Sequence, residues 1–468
     1  MTGDTVAGMH AREFETESIG KERLGEALIM RKFLFTIALS TMAGFGVHVV
    51  TVSAQSTIVA DGSALSLRLA NDRATKGTRI VTLGAAGRSA LKTNLAVEKK
   101  GSPIQAPGAA SIKSFLNAGG GGPVRYFLTD LGTLGGTQSF AYAVNDLGQV
   151  VGSAAISGDT TNHSFLYSNG KMKDLYPLNS QDEQTVGPTG INDFGQVASG
   201  LVVNGVYVPA ILNSASGNTT LIGSLGSSGT STFGVANSIN NLGAATGYSY
   251  LDSINRHAFL FKNDSISDLG SFGGYSSGSS INDWSQVAGF AADATTGVAH
   301  AFLDVNGAMN DLDPATESYA RGINDEGQVV GEFVTPDQTA MHAFLYSQGN
   351  FSDIGIAGSA ETDAFAINSL GQITGTVFFA DGQSGFLLEG GKFFDLNSLI
   401  PAGSGWQLQW AFDINNLGQI VGYGLVNDKY RAYLLTPALS AEQCMFGGWE
   451  SFGFKNQGLC IQYVNTGK

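Results

Sequence analysis

The sequence predicts an all-β chain: a seven-bladed β-propeller of four-stranded blades, closed by an N-terminal strand and followed by a small disulfide tail. Three observations carry the prediction. A turn asparagine recurs at Asn145, Asn192, Asn240, Asn282, Asn324, Asn368 and Asn415, at spacings of 47, 48, 42, 42, 44 and 47 residues. Periods near 40–50 residues with four strands each are the mark of propeller blades. An apolar-aromatic run also appears seven times, as HSFLY, YVPAIL, HAFLF, HAFL, HAFLY, GFLL and RAYLL. The last strand of the unit follows such a run only six times, and its seventh copy, YFLTDLG at 126–132, stands ahead of the first unit. A circle accounts for this permutation, with the first strand of the domain completing the last blade.

The stretch 141–175 shows one unit whole. AYAV is a short run of strand formers and QVVGS is a second, joined by Asn145, Asp146, Leu147 and Gly148. Asn and Asp open turns by bonding nearby backbone N–H groups, and Gly148 can take the left-handed conformation, which suits a type I turn with a glycine bulge. The same turn glycine recurs as Gly327, Gly371 and Gly418. HSFLY is the third strand, Ser168-Asn169-Gly170 a second turn and KMKDL the fourth strand. The strands are called a, b, c and d below.

With DLGTLGG at 130–136, INDEGQVVG at 323–331 and HAFLY at 342–346, the chain resembles the bacterial extracellular repeat proteins named for their HAF motif. The resemblance covers about two-thirds of the chain. It implies an exported repeat protein and no particular biochemical activity. Unit two departs from the pattern with Tyr207-Val208-Pro209 in place of His-Ala-Phe, unit three with Ala244 for the turn Gln, and unit four with Ser285 for the turn Gly. These departures weaken any function that needs seven equivalent sites.

Residues 1–54 read as a leader. Met30-Arg31-Lys32 opens a basic segment, an apolar run covers 33–52, and Val52-Ser53-Ala54 is a small-residue cleavage signal. Six acids (Asp4, Glu13, Glu15, Glu17, Glu22, Glu26) occupy 1–29, which points to an over-called start and a signal peptide at 30–54. The rival is an uncleaved anchor, since about 20 apolar-leaning residues can just span a bilayer. Either way the repeats leave the cytoplasm, for the periplasm, the cell surface or the medium, and cleavage leaves no membrane insertion. Residues 55–125 show no repeat; a short helix is expected at 63–70, and AGGGGP at 118–123 reads as a flexible joint.

Gly makes up 64 of 468 residues, twice the usual ~7%, which the turns explain. Residues 1–125 carry 15 Lys and Arg against 9 Asp and Glu, a net of +6, and the rest carries 10 against 30, a net of −20. A body this acidic repels phosphates, so nucleic acid is excluded as a partner. The b–c connections differ most between units, and six contain an aspartate: Asp159, Asp252, Asp293, Asp337, Asp381 and Asp428. Aspartate suits loops in any case. The functional alternative is an acidic, variable face that binds a cation or a polar polymer.

His163, His257, His300 and His342 hold corresponding repeat positions, too far apart for one tetrahedral site, and no Cys or carboxylate is read as recurring at fixed spacing beside them. A structural role is expected, by analogy with the recurring His of WD-repeat blades. The INDxGQ turn lacks the alternating ligands of a calcium loop. No nucleophile elbow appears, and the clustered arginines of a sialidase are missing, with Arg256, Arg321 and Arg431 read as lying beside c strands or in d–a connections. No cofactor is expected.

The repeats end at residue 437, and 438–468 resembles a short two-cysteine tail found on secreted bacterial proteins. Its Cys444 and Cys460 are the only cysteines of the chain, and in an oxidising compartment two nearby cysteines pair. The expectation for the whole is an exported, monomeric, non-catalytic binding or surface-display module for an extracellular ligand such as a glycan. The alternatives are a glycan-active enzyme and a purely structural envelope protein.

Overall fold

The computed structural model describes residues 124–159, 161–175, 183–203, 206–226, 233–313, 315–445 and 447–466, together with the backbone of three strands between 56 and 83. The leader at 1–54 and the joint at 118–123 lie outside the described residues. The chain divides into two compact units, 31–106 and the remainder. In the smaller one, Ser56–Ala60, Leu65–Leu69 and Ile80–Leu83 form an antiparallel sheet in chain order. The helix expected at 63–70 is therefore a strand. Leu65, Leu67 and Leu69 alternate with Ser66 and Arg68, the period of two that a pleated strand needs.

Among the described residues the larger unit is built of strands up to its tail, apart from the short 3-10 helix Leu396–Ser398. Its strands form four-stranded antiparallel meanders at 135–174, 183–221, 234–270, 273–311, 318–353 and 361–395, numbered 1 to 6 here, with strands a to d adjacent in chain order. Meander 7, at 406–437, supplies strands a to c, and its fourth strand is Tyr126–Asp130 from the other end of the domain. The register there runs from Tyr433↔Asp130 to Pro437↔Tyr126.

The turn asparagines explain how the meanders hold together. Asn145 Oδ1 accepts the N–H groups of Leu147 and Gln149, which builds the a–b turn. Its Nδ2 donates to the Asn192 carbonyl of the next meander at 2.9 Å. The same bond runs from Asn192 to Asn240, Asn240 to Asn282, Asn282 to Asn324, Asn324 to Asn368 and Asn368 to Asn415. It returns from Asn415 to Asn145 at 2.9 Å. Every amide in this circuit is buried and paired, as buried polar groups must be. Where the repeat departs from its pattern the turn survives. Ala244 offers no side-chain partner to Asn240, and Ser285 takes φ 61° in the place of glycine.

The tail packs on the closing strand. Cys444 and Cys460 form a disulfide, and around it Phe127, Ala438 and Tyr463 are buried with Trp449, Phe452 and Phe454 against them. Phe452 stacks on Phe127 at 4.0 Å. The Tyr463 hydroxyl donates to the Tyr126 carbonyl at 2.8 Å. Among the described residues no helix is long and apolar enough to cross a membrane.

Candidate functional site

Each strand a that can be read in full carries a β-bulge just before its turn. The register slips between Ala141 and Ala143, Ala236 and Ser238, Gly278 and Ser280, Ala320 and Gly322, Ala364 and Ala366, and Ala411 and Asp413. The residues passed over in the a–b register are Tyr142, Asn237, Ser279, Arg321, Phe365 and Phe412. A bulge re-aims one side chain out of the ladder, and here it does so at the same place in successive meanders. The glycine of the QVVG motif makes room for it. A Cβ on Gly152 would lie 2.0 Å from the Phe140 carbonyl, and one on Gly331 would lie 1.9 Å from that of Tyr319.

One row further from the turn, strands a and b pair Phe140 with Ser153, Val235 with Tyr248, Ser277 with Phe290, Tyr319 with Glu332, Asp363 with Thr376 and Trp410 with Tyr423. The framework around these positions is nearly constant while their chemistry changes from meander to meander. In meanders 7 and 1 the row is aromatic, and the bulged Phe365 of meander 6 joins it. Trp410 lies parallel to Phe365 at 5.9 Å and to Tyr423 at 5.9 Å, Phe140 meets Tyr423 edge-on at 4.8 Å, and Tyr430 flanks it at 5.7 Å. In meanders 3 to 5 a second group joins Phe290 to Tyr319 at 5.1 Å, with the Arg256 guanidinium 4.6 Å above Tyr248 and 5.4 Å from Tyr275.

Between the groups sits a buried ion pair. Arg321 Nε lies 3.0 Å from both Glu332 oxygens, and its Nη2 bonds the same carboxylate. Arg321 and Glu332 are 2% and 4% exposed, and the Asp363 carboxylate adds to the field on the guanidinium. Two bulged neighbours carry unmet polar capacity: among the described residues Asn237 Oδ1 and Ser279 Oγ have no hydrogen-bond partner and are buried.

Asp413, beside the bulged Phe412, is a third buried acid. It accepts the N–H of Val144 in the next meander at 2.8 Å and that of Ile414 at 2.8 Å. Burial pushes its carboxyl up to about 8, with Asp146 adding to the rise. A carboxyl raised on folding holds its proton longer in the folded chain, so the stability it confers is complete below about pH 4 and falls as pH rises towards 8. Ser280 fills the equivalent position in meander 4 and accepts the Ile323 N–H at 3.0 Å without a charge. Asp413→Ser should therefore gain on the parent as pH rises from 5 to 8, by several degrees in Tm. Parallel Tm-against-pH curves for the two proteins would refute the assignment.

The six loop aspartates are spread over separate b–c loops, and four of them are held by nearby donors. Asp159 accepts the Thr137 N–H at 2.7 Å, which joins the b–c loop to the glycine-rich d–a connection. Asp252 accepts from Ile254 and Asn255, Asp293 from Thr295 and Thr296, and Asp337 from the Thr335 hydroxyl and Thr339. These donors hold all three carboxyls below the ordinary aspartate range. Asp428 takes φ 58° in a tight turn beside Asn427, and Asp381 is exposed in another. Among the described residues no three His, Cys, Asp or Glu side chains come together as a metal site.

Two sequence expectations need correction. A carboxylate does recur beside the histidines, eleven residues on: His163 Nδ1 pairs with Asp174 at 2.8 Å, His257 with Asp268 at 3.0 Å, His300 with Asp311 at 2.9 Å and His342 with Asp353 at 2.9 Å. The c–d hairpin sets Phe165 opposite Asp174, so His163, two residues away on the same face, is its diagonal neighbour. In meander 6 the Ser384 hydroxyl fills the histidine's place, bonding Asp395 at 2.6 Å, and in meander 7 Arg431 bonds Asp130 of the closing strand at 3.1 Å. The second correction concerns Arg321, which lies inside strand a at Ser318–Ile323, not beside a c strand or in a connection. The bulged row escaped the sequence reading. Its signal was present in the residues that differ between otherwise matching units.

No family model and no curated protein matches the chain. Among solved structures it is similar to an acylaminoacyl peptidase in complex with Z-Gly-Gly-Phe-chloromethyl ketone, at 11% identity and TM-score 0.41 over 68% of this chain and 54% of that one. The chain thus spans about half the length of that peptidase. It is also similar to the putative TolB from Agrobacterium tumefaciens, at 11% identity and TM-score 0.37 over 57% and 94%. An oligogalacturonate lyase in complex with manganese aligns at 12% identity and TM-score 0.39 over 67% and 90%.

Proposed function

We propose that the chain is an exported, monomeric, non-catalytic member of the HAF-repeat proteins, a seven-bladed β-propeller that binds a polar polymer, best a glycan, at the end carrying the b–c loops. The circuit of asparagine bonds and the shared fourth strand of meander 7 support the seven-bladed reading. The disulfide supports an oxidising compartment outside the cytoplasm. The observation that carries the ligand class is the row beyond the bulges. It sets flat aromatic faces beside fixed charges and amides, and a sugar presents both an apolar C–H face and hydroxyls. No cofactor enters this reading, and the acidic body disfavours nucleic acid.

A glycan-array screen, with a hydrolysis assay on the same glycans, tests it. Tyr275 and Tyr430 are 37% and 42% exposed, so Tyr275→Ala with Tyr430→Ala should weaken glycan binding at least tenfold and leave Tm nearly unchanged. Binding without turnover supports the module, turnover makes the protein an enzyme, and silence in both assays returns it to a structural role.

A further inference from the structure

The opposite end of the meanders carries a different surface. The third residue of each a–b turn faces solvent, and it is Leu147, Phe194, Leu242 and Trp284 in meanders 1 to 4, exposed by 44%, 55%, 61% and 71%. Leu370 and Leu417 hold the same position in meanders 6 and 7, half-buried, and Glu326 alone breaks the series. The Trp284 indole donates to the Asp325 carbonyl of the next turn at 3.0 Å, so the apolar residues follow the circuit of turns. Nothing in the turn chemistry asks for an apolar side chain there, since the turn is built by Asn and Gly. Exposed apolar groups that recur in one band mark an interaction surface.

Next to these residues is the second turn position, and in four of the seven turns it is an aspartate: Asp146, Asp193, Asp283 and Asp325. The Asp146 N–H is received by Asp193, that of Asn241 by Asp283, that of Asp283 by Asp325 and that of Asn416 by Asp146. Four carboxylates thus share one ring alongside the apolar band. Burial, then Asp325, and lastly Asp193 push Asp283 up to about 7, the response of a carboxyl whose neighbours are also negative.

We propose that this end is a docking surface for a protein segment that sets a lysine or arginine among apolar side chains. The basic group would relieve the crowded carboxylates while its neighbours cover the leucines, Phe194 and Trp284. A second copy is a poor occupant, because a two-fold pair would press the same carboxylates against each other. An anionic membrane is disfavoured by the same charge. The glycan reading uses the other end of the meanders, so the two stand or fall separately.

The test is calorimetric titration of the full exported chain with a capped pentapeptide holding one lysine between two pairs of leucines, against the same peptide with glutamate. The lysine peptide should bind at least tenfold more tightly. Phe194→Ser, Leu242→Ser and Trp284→Ser combined should weaken it at least tenfold, as should Asp283→Asn with Asp325→Asn, with Tm and glycan binding unchanged in both. Equal binding of the two peptides, no binding, or insensitivity to the substitutions would overturn the proposal. So would self-association, or adsorption to phosphatidylglycerol vesicles, that the triple substitution abolishes.

Discussion

Deleting residues 126–132 should yield a protein that aggregates and shows no cooperative melting. Tyr126 and Phe127 are 1% and 0% exposed, and truncating one buried aromatic alone costs about 3–5 kcal/mol. With two such side chains and a five-residue ladder lost, the sum is of the order of the whole stability of a domain, about 5–15 kcal/mol. The deletion also bares the outer edge of Lys429–Pro437, and an open edge is a template for pairing with another chain. A transposed chain separates closure from mere loss of sequence. Moved behind residue 437 through a short turn, the same seven residues become an ordinary fourth strand, and cooperative melting should return. A deletion variant that melts like the parent would end the closed-ring account.

The second large effect is expected at Arg321. Replacing it by alanine leaves the Glu332 carboxylate buried without its partner, a loss of about 3–5 kcal/mol. For a folded body of this length that is roughly 6 °C in Tm, at about 2 cal/mol/K of unfolding entropy per residue. Arg321→Ala with Glu332→Ala should recover much of the loss, because no uncompensated charge remains, yet should still bind glycan more weakly than the parent. Calorimetry of the three variants decides it. A single substitution costing under about 1 kcal/mol would mean that water reaches Glu332 and the pair is not sealed.

The fold was legible wherever one residue decides a local geometry. Asn145 and Gly148 announce a turn by their own chemistry, and six more turns of that kind supply the period. The strand at 126–130 was readable as a fourth strand because its YFLTD matches the others and one unit ends without its own. The disulfide was readable because compartment and proximity leave Cys444 and Cys460 only each other. What the tail rests on was not, since Phe127 and Phe452 meet only after the chain has come round. The candidate site was illegible for a related reason. A repeat is found by what its copies share, and Arg321, Trp410 and Tyr319 are what they do not share. The His–Asp pairs were missed although HAFLFKNDSISD holds both residues, because their contact depends on the hairpin's register.

The shared last sheet sets a clock for the chain. Asp130 and its partner Arg431 are 301 residues apart, and at synthesis rates of about 5–20 residues per second the earlier one waits roughly 15–60 s for the later. Local hairpins form in microseconds, so the early meanders have ample time to build while Tyr126–Asp130 stays single. The tail then lands on the strand that has waited for it, through Phe452 on Phe127 and Tyr463 on the Tyr126 carbonyl. The Cys444–Cys460 bond lies in that same contact, so its formation there reports a chain whose tail has reached the waiting strand.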